Sequence, residues 1–233
     1  MAHHEHSTLR AAYAHERQLA NHVVLTQPVG DGRVENFTWS QVMDQARRFA
    51  SFLKAQHFPP SSTIAVLTKN TAHYFMVELG IWMAGHTTVS IFPTDSASTI
   101  AYILKHSEAR LLVIGKLDNW AAQSIAVPSG MPCVELPLGP GTDAIQWADL
   151  MAAHEPFPEE VERQPHALSM IIYTSGSTGD PKGVMHNFET THRATKLIVD
   201  WRHGLLGEAP LRVLSHLPFA HVMERLTVFC ATV

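Results

Sequence analysis

The chain has 233 residues, 45% of them hydrophobic, enough to bury roughly 70% of its unfolded surface. A formal net charge of −4 without any basic run excludes the electrostatic footprint of a nucleic-acid binder. The start, Met1-Ala-His-His-Glu-His6, lacks the pattern of a signal peptide, and the longest apolar stretch, Tyr74 to Gly85, is broken by Glu78 and is too short to span a bilayer.

The two cysteines, Cys133 and Cys230, lie far apart without metal-ligand spacing, which reads as free thiols in a reducing, cytoplasmic compartment. Sixteen histidines invite a metal hypothesis, and His3, His4 and His6 could loosely hold a divalent ion. Histidines in a terminal segment are more often solvated, however, and neither an HExxH nor a His/Cys set with zinc spacing is present.

Taken in order, Ser7 can cap a helix from Thr8 to about Ala20, with Leu9, Tyr13 and Leu19 facing inward. Two strands, 22–26 and 34–37, flank the turn Pro28-Val-Gly-Asp-Gly-Arg33. Thr38-Trp-Ser-Gln41 is a capping box, opening a helix whose stripe is Val42, Ala46, Phe49, Ala50 and Leu53, ended by Pro59-Pro60. Thr63–Thr68 predicts a buried strand, Asn70 a cap, and 71–84 a helix closed by Gly85 in the left-handed conformation. A strand over 87–92, a helix from Ser96 carrying Ile100, Ile103 and Leu104, a strand over 111–114 and a short helix over 117–126 follow. This alternation predicts an α/β fold of layered sheets flanked by helices, the sheet largely parallel.

Seven prolines between 128 and 165 mark a surface excursion, with Trp147 and Leu150 on a short helix. Next comes Met170-Ile-Ile-Tyr-Thr-Ser-Gly-Ser-Thr-Gly-Asp-Pro-Lys-Gly-Val-Met-His186. The apolar run 170–173 reads as a buried strand, and Gly176 and Gly179 let the backbone approach a ligand closely. The amides so exposed suit anionic oxygens. Thr174, Ser175, Ser177 and Thr178 add hydroxyl donors and Lys182 adds the charge, so the stretch reads as a phosphate cradle. It is not a nucleoside-triphosphatase loop, because Pro181 stands five residues after Gly176 and Gly183 follows Lys182. No G-x-G-x-x-G occurs, and without a G-x-S-x-G neither Ser175 nor Ser177 reads as a hydrolase nucleophile. After it, Asn187 caps a helix to about Trp201, 211–214 reads as a strand, and Ser215-His-Leu-Pro-Phe-Ala-His221 is a loop feeding an apolar helix.

The stretch Tyr173-Thr-Ser-Gly-Ser-Thr-Gly-Asp-Pro-Lys-Gly183 resembles the phosphate-loop signature of the adenylate-forming superfamily: acyl- and aryl-CoA synthetases, luciferases and peptide-synthetase adenylation domains. Gly85 to Ser96 is similar to that family's early strand-and-turn segment. Ser215-His-Leu-Pro-Phe-Ala-His-Val-Met-Glu-Arg225 resembles the LPLAH…ER segment of long-chain fatty acyl-CoA synthetases, with Phe219 in place of the more usual leucine.

The resemblance implies that the loop joins two antiparallel strands and grips ATP while a carboxylic acid, a long-chain fatty acid, becomes acyl-AMP and then acyl-CoA. It places Ser175, Gly176, Ser177, Thr178, Gly179 and Lys182 on the β- and γ-phosphates, Thr174 near Mg²⁺, and His221 between acyl pocket and α-phosphate. Without the resemblance, His221 reads as a loop histidine bonded to a nearby carbonyl. Glu224 and Arg225 read as a structural pair at a helix start and not as catalysts. ATP, Mg²⁺ and CoA are the implied cofactors, and peripheral membrane contact stays open.

The family's members run to more than twice this length, and the chain stops at Val233 in an apolar run. Residues 1–233 therefore read as a partial N-terminal AMP-binding domain without the C-terminal lid, its exposed apolar end predicting poor solubility. The alternatives are a non-catalytic remnant or interaction module, or an aryl- or amino-acid-adenylating relative.

Overall fold

The computed structural model describes residues 8–174, 180–207 and 212–232. Helix α1 (Thr8–Gln18) buries Leu9 and Tyr13, while Leu19 lies past its last turn and is 43% exposed, so the inward stripe is shorter than the periodicity predicts. Ser7, the expected cap, lies outside the described residues. Strands β1 (Val23–Gly30) and β2 (Arg33–Thr38) pair as a separate antiparallel hairpin. Its turn places Asp31 and Gly32 at positive φ (53° and 72°), the geometry favoured by an Asp-Gly hairpin turn.

Thr38 then starts α2 (Trp39–Ala55) with both halves of the capping box: Gln41 N–H donates to Thr38 Oγ1 at 3.3 Å, and Thr38 N–H donates to Gln41 Oε1 at 2.9 Å. Val42, Ala46, Phe49, Ala50 and Leu53 are fully buried, as their spacing requires.

Strand β3 (Thr63–Leu67) leads to α3 (Ala72–Met83), β4 (Thr87–Ile91), α4 (Ala97–His106) and β5 (Leu111–Ile114). Gly85 takes φ +92° after α3, with Gly85 N–H donating to Trp82 O and His86 N–H to Ile81 O, the paired bonds of a Schellman motif. The cap position of α3 is held by Thr71, not Asn70, without a side-chain cap hydrogen bond, while the Asn70 amide is engaged with Ser215. The stretch expected to be helical over 117–126 contracts to α5 (Trp120–Gln123) and a 3₁₀ turn, Ser124–Ala126.

Residues 128–165 are more than a surface excursion. They add β6 (Cys133–Glu135) and β7 (Ile145–Gln146) to the sheet before α6 (Trp147–Ala153), which buries Trp147 and Leu150. Their pairing is fixed by Glu135, whose carboxylate accepts from the Gly141 and Thr142 amides and the Thr142 hydroxyl. Two strands this short have no periodicity to betray them.

With β8 (Leu168–Thr174) and β9 (Lys182–Asn187) the sheet reads β7-β6-β5-β3-β4-β8-β9, all pairs parallel except the antiparallel β8/β9. Ile64 and Val66 join one apolar cluster, with α2 and α3, while Ala65 and Leu67 join the other, with α4. The central strands β3, β4 and β5 are thus covered on both faces, which is why β3 and β5 read as continuous apolar runs. Asn187 caps α7 (Phe188–Leu206), accepting from Thr190 N–H at 2.8 Å. The strand expected over 211–214 does not form: 212–214 are irregular and exposed, and Leu211 lies outside the described residues. Helix α8 (Val222–Thr232) ends the described chain.

Two core histidines make stability pH-dependent. Burial lowers the pKa of His73 to about 4 and that of His86 to about 4, with Arg163 and Lys54 adding to the latter. Both rings stay neutral when folded and take up protons on unfolding, so stability is complete above about pH 6.5 and falls as pH drops toward 4. The expected slope is about 1.4 kcal/mol per pH unit for each histidine. Urea melts at pH 7 and pH 5 check this: the midpoint should drop at pH 5, and His73→Phe should roughly halve that drop. Equal midpoints would refute the assignment.

Candidate functional site

The β8/β9 hairpin carries the glycine- and hydroxyl-rich stretch. Its register pairs Thr174 with Lys182, so the two residues face each other across the mouth of the loop, both exposed. Lys182 makes no ion pair among the described residues, and neither does the Thr174 hydroxyl find a hydrogen-bond partner there. An exposed cation opposite an exposed hydroxyl fits phosphate oxygens with an oxygen-ligated cation beside them. Ser175, Gly176, Ser177, Thr178 and Gly179 lie outside the described residues.

Below the mouth the hairpin is locked. Tyr173 is 3% exposed and its hydroxyl lies 2.7 Å from His106 Nδ1, tying β8 to the end of α4. Tyr173 stands opposite Gly183, where an added Cβ would come within 3.1 Å of the tyrosine Cζ and 3.0 Å of Ile171 Cγ2. A side chain after Lys182 would therefore have to push Tyr173 or Ile171 aside by a few tenths of an ångström.

His221 belongs to a second element at the same end of the sheet. Strand β3 runs into α3, which packs with one apolar cluster, and β4 into α4, which packs with the other. Their carboxyl-end connections diverge, creating a topological switch point, the place where open α/β sheets bind ligands. The 215–221 loop is held there. Asn70, just past β3, donates through Nδ2 to Ser215 Oγ at 2.8 Å and Leu217 O at 2.6 Å, and its Oδ1 accepts from Phe219 N–H at 3.0 Å. Phe219 stacks on Tyr74, with ring centroids 4.5 Å apart.

His221 itself is exposed at the start of α8, and its Nδ1 accepts from Met223 N–H at 3.2 Å. That bond is to a backbone amide and not to a carbonyl, so in the neutral ring the proton sits on Nε2. No hydrogen bond joins His221 to the hairpin among the described residues.

Glu224 and Arg225 do not pair with each other. Glu224 Oε2 accepts from Leu217 N–H at 3.2 Å, while Arg225 is fully buried against Glu78 of α3. Arg225 Nε donates to Glu78 Oε2 at 3.2 Å, and another guanidinium nitrogen donates to Ser90 Oγ on β4 at 2.8 Å. Tyr74 completes the cluster through a 2.6 Å hydroxyl contact with Ser90 and a ring 5.6 Å from the guanidinium. The one sequence signal for this network was Glu78, a carboxylate interrupting an apolar run.

Among the described residues no three metal-ligating side chains converge, and no helix is long and apolar enough to cross a membrane.

The chain is 25% identical over 206 residues to the long-chain-fatty-acid–CoA ligase ACSBG2 of Homo sapiens, covering 82% of this chain and 30% of that protein. It is 27% identical over 191 residues to the 3-methylmercaptopropionyl-CoA ligase of Ruegeria pomeroyi, covering 72% of this chain and 32% of that one. It thus spans about a third of the length of these curated relatives. Its fold matches the crystal structure of the anthranilate CoA ligase AuaEII in complex with anthranoyl-AMP, with a TM-score of 0.72 at 22% identity, over 87% of this chain and 38% of that one. The family model described as AMP-binding enzyme matches residues 12–233, and with that match over nearly its whole length the chain belongs to the AMP-binding enzyme family.

Proposed function

We propose that these 233 residues form the N-terminal part of an enzyme that activates a long-chain fatty acid with ATP, giving acyl-AMP and then acyl-CoA. The observation that carries this reading is the Thr174–Lys182 pair, an exposed hydroxyl and an ammonium without an ion pair among the described residues, set opposite each other across the hairpin mouth. Attack of a carboxylate on the α-phosphorus drives negative charge onto the departing pyrophosphate, so a fixed cation aimed there lowers the barrier.

Lys182 supplies that cation. Ser175, Gly176, Ser177, Thr178 and Gly179 supply hydroxyl and amide donors to the same oxygens. Thr174 is the residue that would hold Mg²⁺, which when bound adds further charge neutralisation on the phosphates. His221, with its proton on Nε2, donates to the incoming carboxylate or the α-phosphate and orients the two for in-line attack. The fatty-acid assignment draws support from the LPFAH…ER segment and from likeness to ACSBG2, whose name states that substrate class.

Pyrophosphate release by the whole enzyme, assayed with a panel of acids, tests the reading. Long-chain fatty acids should support release; release with aryl or amino acids alone would overturn the substrate class. Calorimetric titration of the 233-residue chain with ATP·Mg²⁺ addresses its own competence: weak or absent binding is expected, and tight binding with adenylate formation would show that these residues suffice.

A further inference from the structure

We infer that Asn70 is a positioning residue for this site, a clamp that sets the 215–221 loop and thereby the place of His221. The inference rests on the proposed role of His221 for its catalytic consequence, but not for its structural content. Asn70 uses both Nδ2 hydrogens and its Oδ1 on one short segment: Ser215 Oγ, Leu217 O and Phe219 N–H, across a separation of 145 to 149 residues. An amide is the side chain that offers two donors and an acceptor at this reach, so neither aspartate nor a hydroxyl can replace it.

Asn70 lies one residue before the cap position of α3, which Thr71 occupies, so its amide is not spent on the helix end. The clamped loop has no sheet or helix bonds of its own over 212–217, so side chains carry its order. Beyond it, Glu224 Oε2 accepts from Leu217 N–H, Pro218 O accepts from His221 N–H at 2.7 Å, and His221 Nδ1 accepts from Met223 N–H. A chain of adjacent bonds therefore runs from Asn70 through Leu217 and Pro218 to the imidazole. Its start sits just past β3, at the switch point; its end is the histidine.

Asn70→Asp keeps the size and the acceptor for Phe219 N–H but removes both donors and sets a carboxylate against the Leu217 carbonyl. In the 233-residue chain, hydrogen exchange of the Leu217 and Met223 amides should accelerate by about tenfold or more, the scale of a lost hydrogen bond, while Val66 and Val113 amides in the sheet keep their protection. In the whole enzyme, kcat for pyrophosphate release should fall about tenfold with the KM for ATP unchanged, and Asn70→Asp should add nothing in a His221→Ala background. Should Asn70→Asp fail to fold, Ser215→Ala removes a single bond of the clamp and should give the same pattern at about threefold.

Unchanged exchange at Leu217 and Met223 would overturn the clamp, as would an effect that simply multiplies with that of His221→Ala. If His221→Ala itself leaves release unaltered, the catalytic role of His221 falls instead, and the exchange data still decide on Asn70.

Discussion

Lys182→Ala in the whole enzyme is expected to slow pyrophosphate release about 10²-fold, the loss that follows removal of one preorganised contact to developing charge. The substitution suits the question because the ammonium is exposed and has no ion pair among the described residues. Its removal should therefore leave stability within about 0.5 kcal/mol of the parent. A melt that does not move alongside a rate that collapses would place the effect in the chemistry. Lys182→Arg should recover only part of the rate, since a planar fork does not reproduce the compact ammonium. An unchanged rate for Lys182→Ala would remove this residue from the mechanism, whatever the loop binds.

Arg225→Ala is expected to destabilise the chain by about 3–5 kcal/mol, because it strands the Glu78 carboxylate in the core. Glu78 and Arg225 are 1% and 0% exposed, and burial lowers the guanidinium pKa, a mark of how much hydration it has surrendered. The cost follows from breaking the pair, not from any large net worth of the pair itself. Glu78→Leu combined with Arg225→Met should therefore recover most of the loss, since neither charge is left alone. Urea denaturation of the two variants checks this: a single variant as stable as the parent, or a double variant worse than Arg225→Ala, would contradict it. As domains hold only about 5–15 kcal/mol in total, the single substitution removes a large share of the margin. It would also free α8, whose first residue follows His221.

Local order was largely written in the residues. Thr38 and Gln41 announced the start of α2 because a capping box is satisfied within one turn. Gly85 announced the end of α3 because only a residue without Cβ accepts the left-handed conformation cheaply. The alternation of apolar runs with helical stripes gave a parallel α/β sheet, and the hydroxyls, glycines and lysine of 174–183 pointed to a phosphate cradle, the role proposed above for the β8/β9 hairpin. One miss was local, and the others turned on distant contacts. Leu19 fits the stripe of α1, but the helix ends before it. Residues 133–135 and 145–146 are too short to show a period, and become strands because β5 offers an edge and Glu135 gathers the connecting amides.

Asn70 shows the division most clearly. By residue type it is a good helix cap, and a neighbouring threonine takes that place while its amide crosses to a loop 145 residues away. Glu224 and Arg225 are adjacent in the chain, yet a partner 147 residues from Arg225 claims the guanidinium. The amino-acid order by itself determined most of the secondary elements and set hydroxyls, glycines and a lysine between β8 and β9, because turn, cap and period depend on neighbours within a few residues. The tertiary structure alone decided which side chains hold the 215–221 loop at the carboxyl edge of the sheet. Buried polar groups must find partners wherever the fold brings them, and no local pattern encodes that encounter.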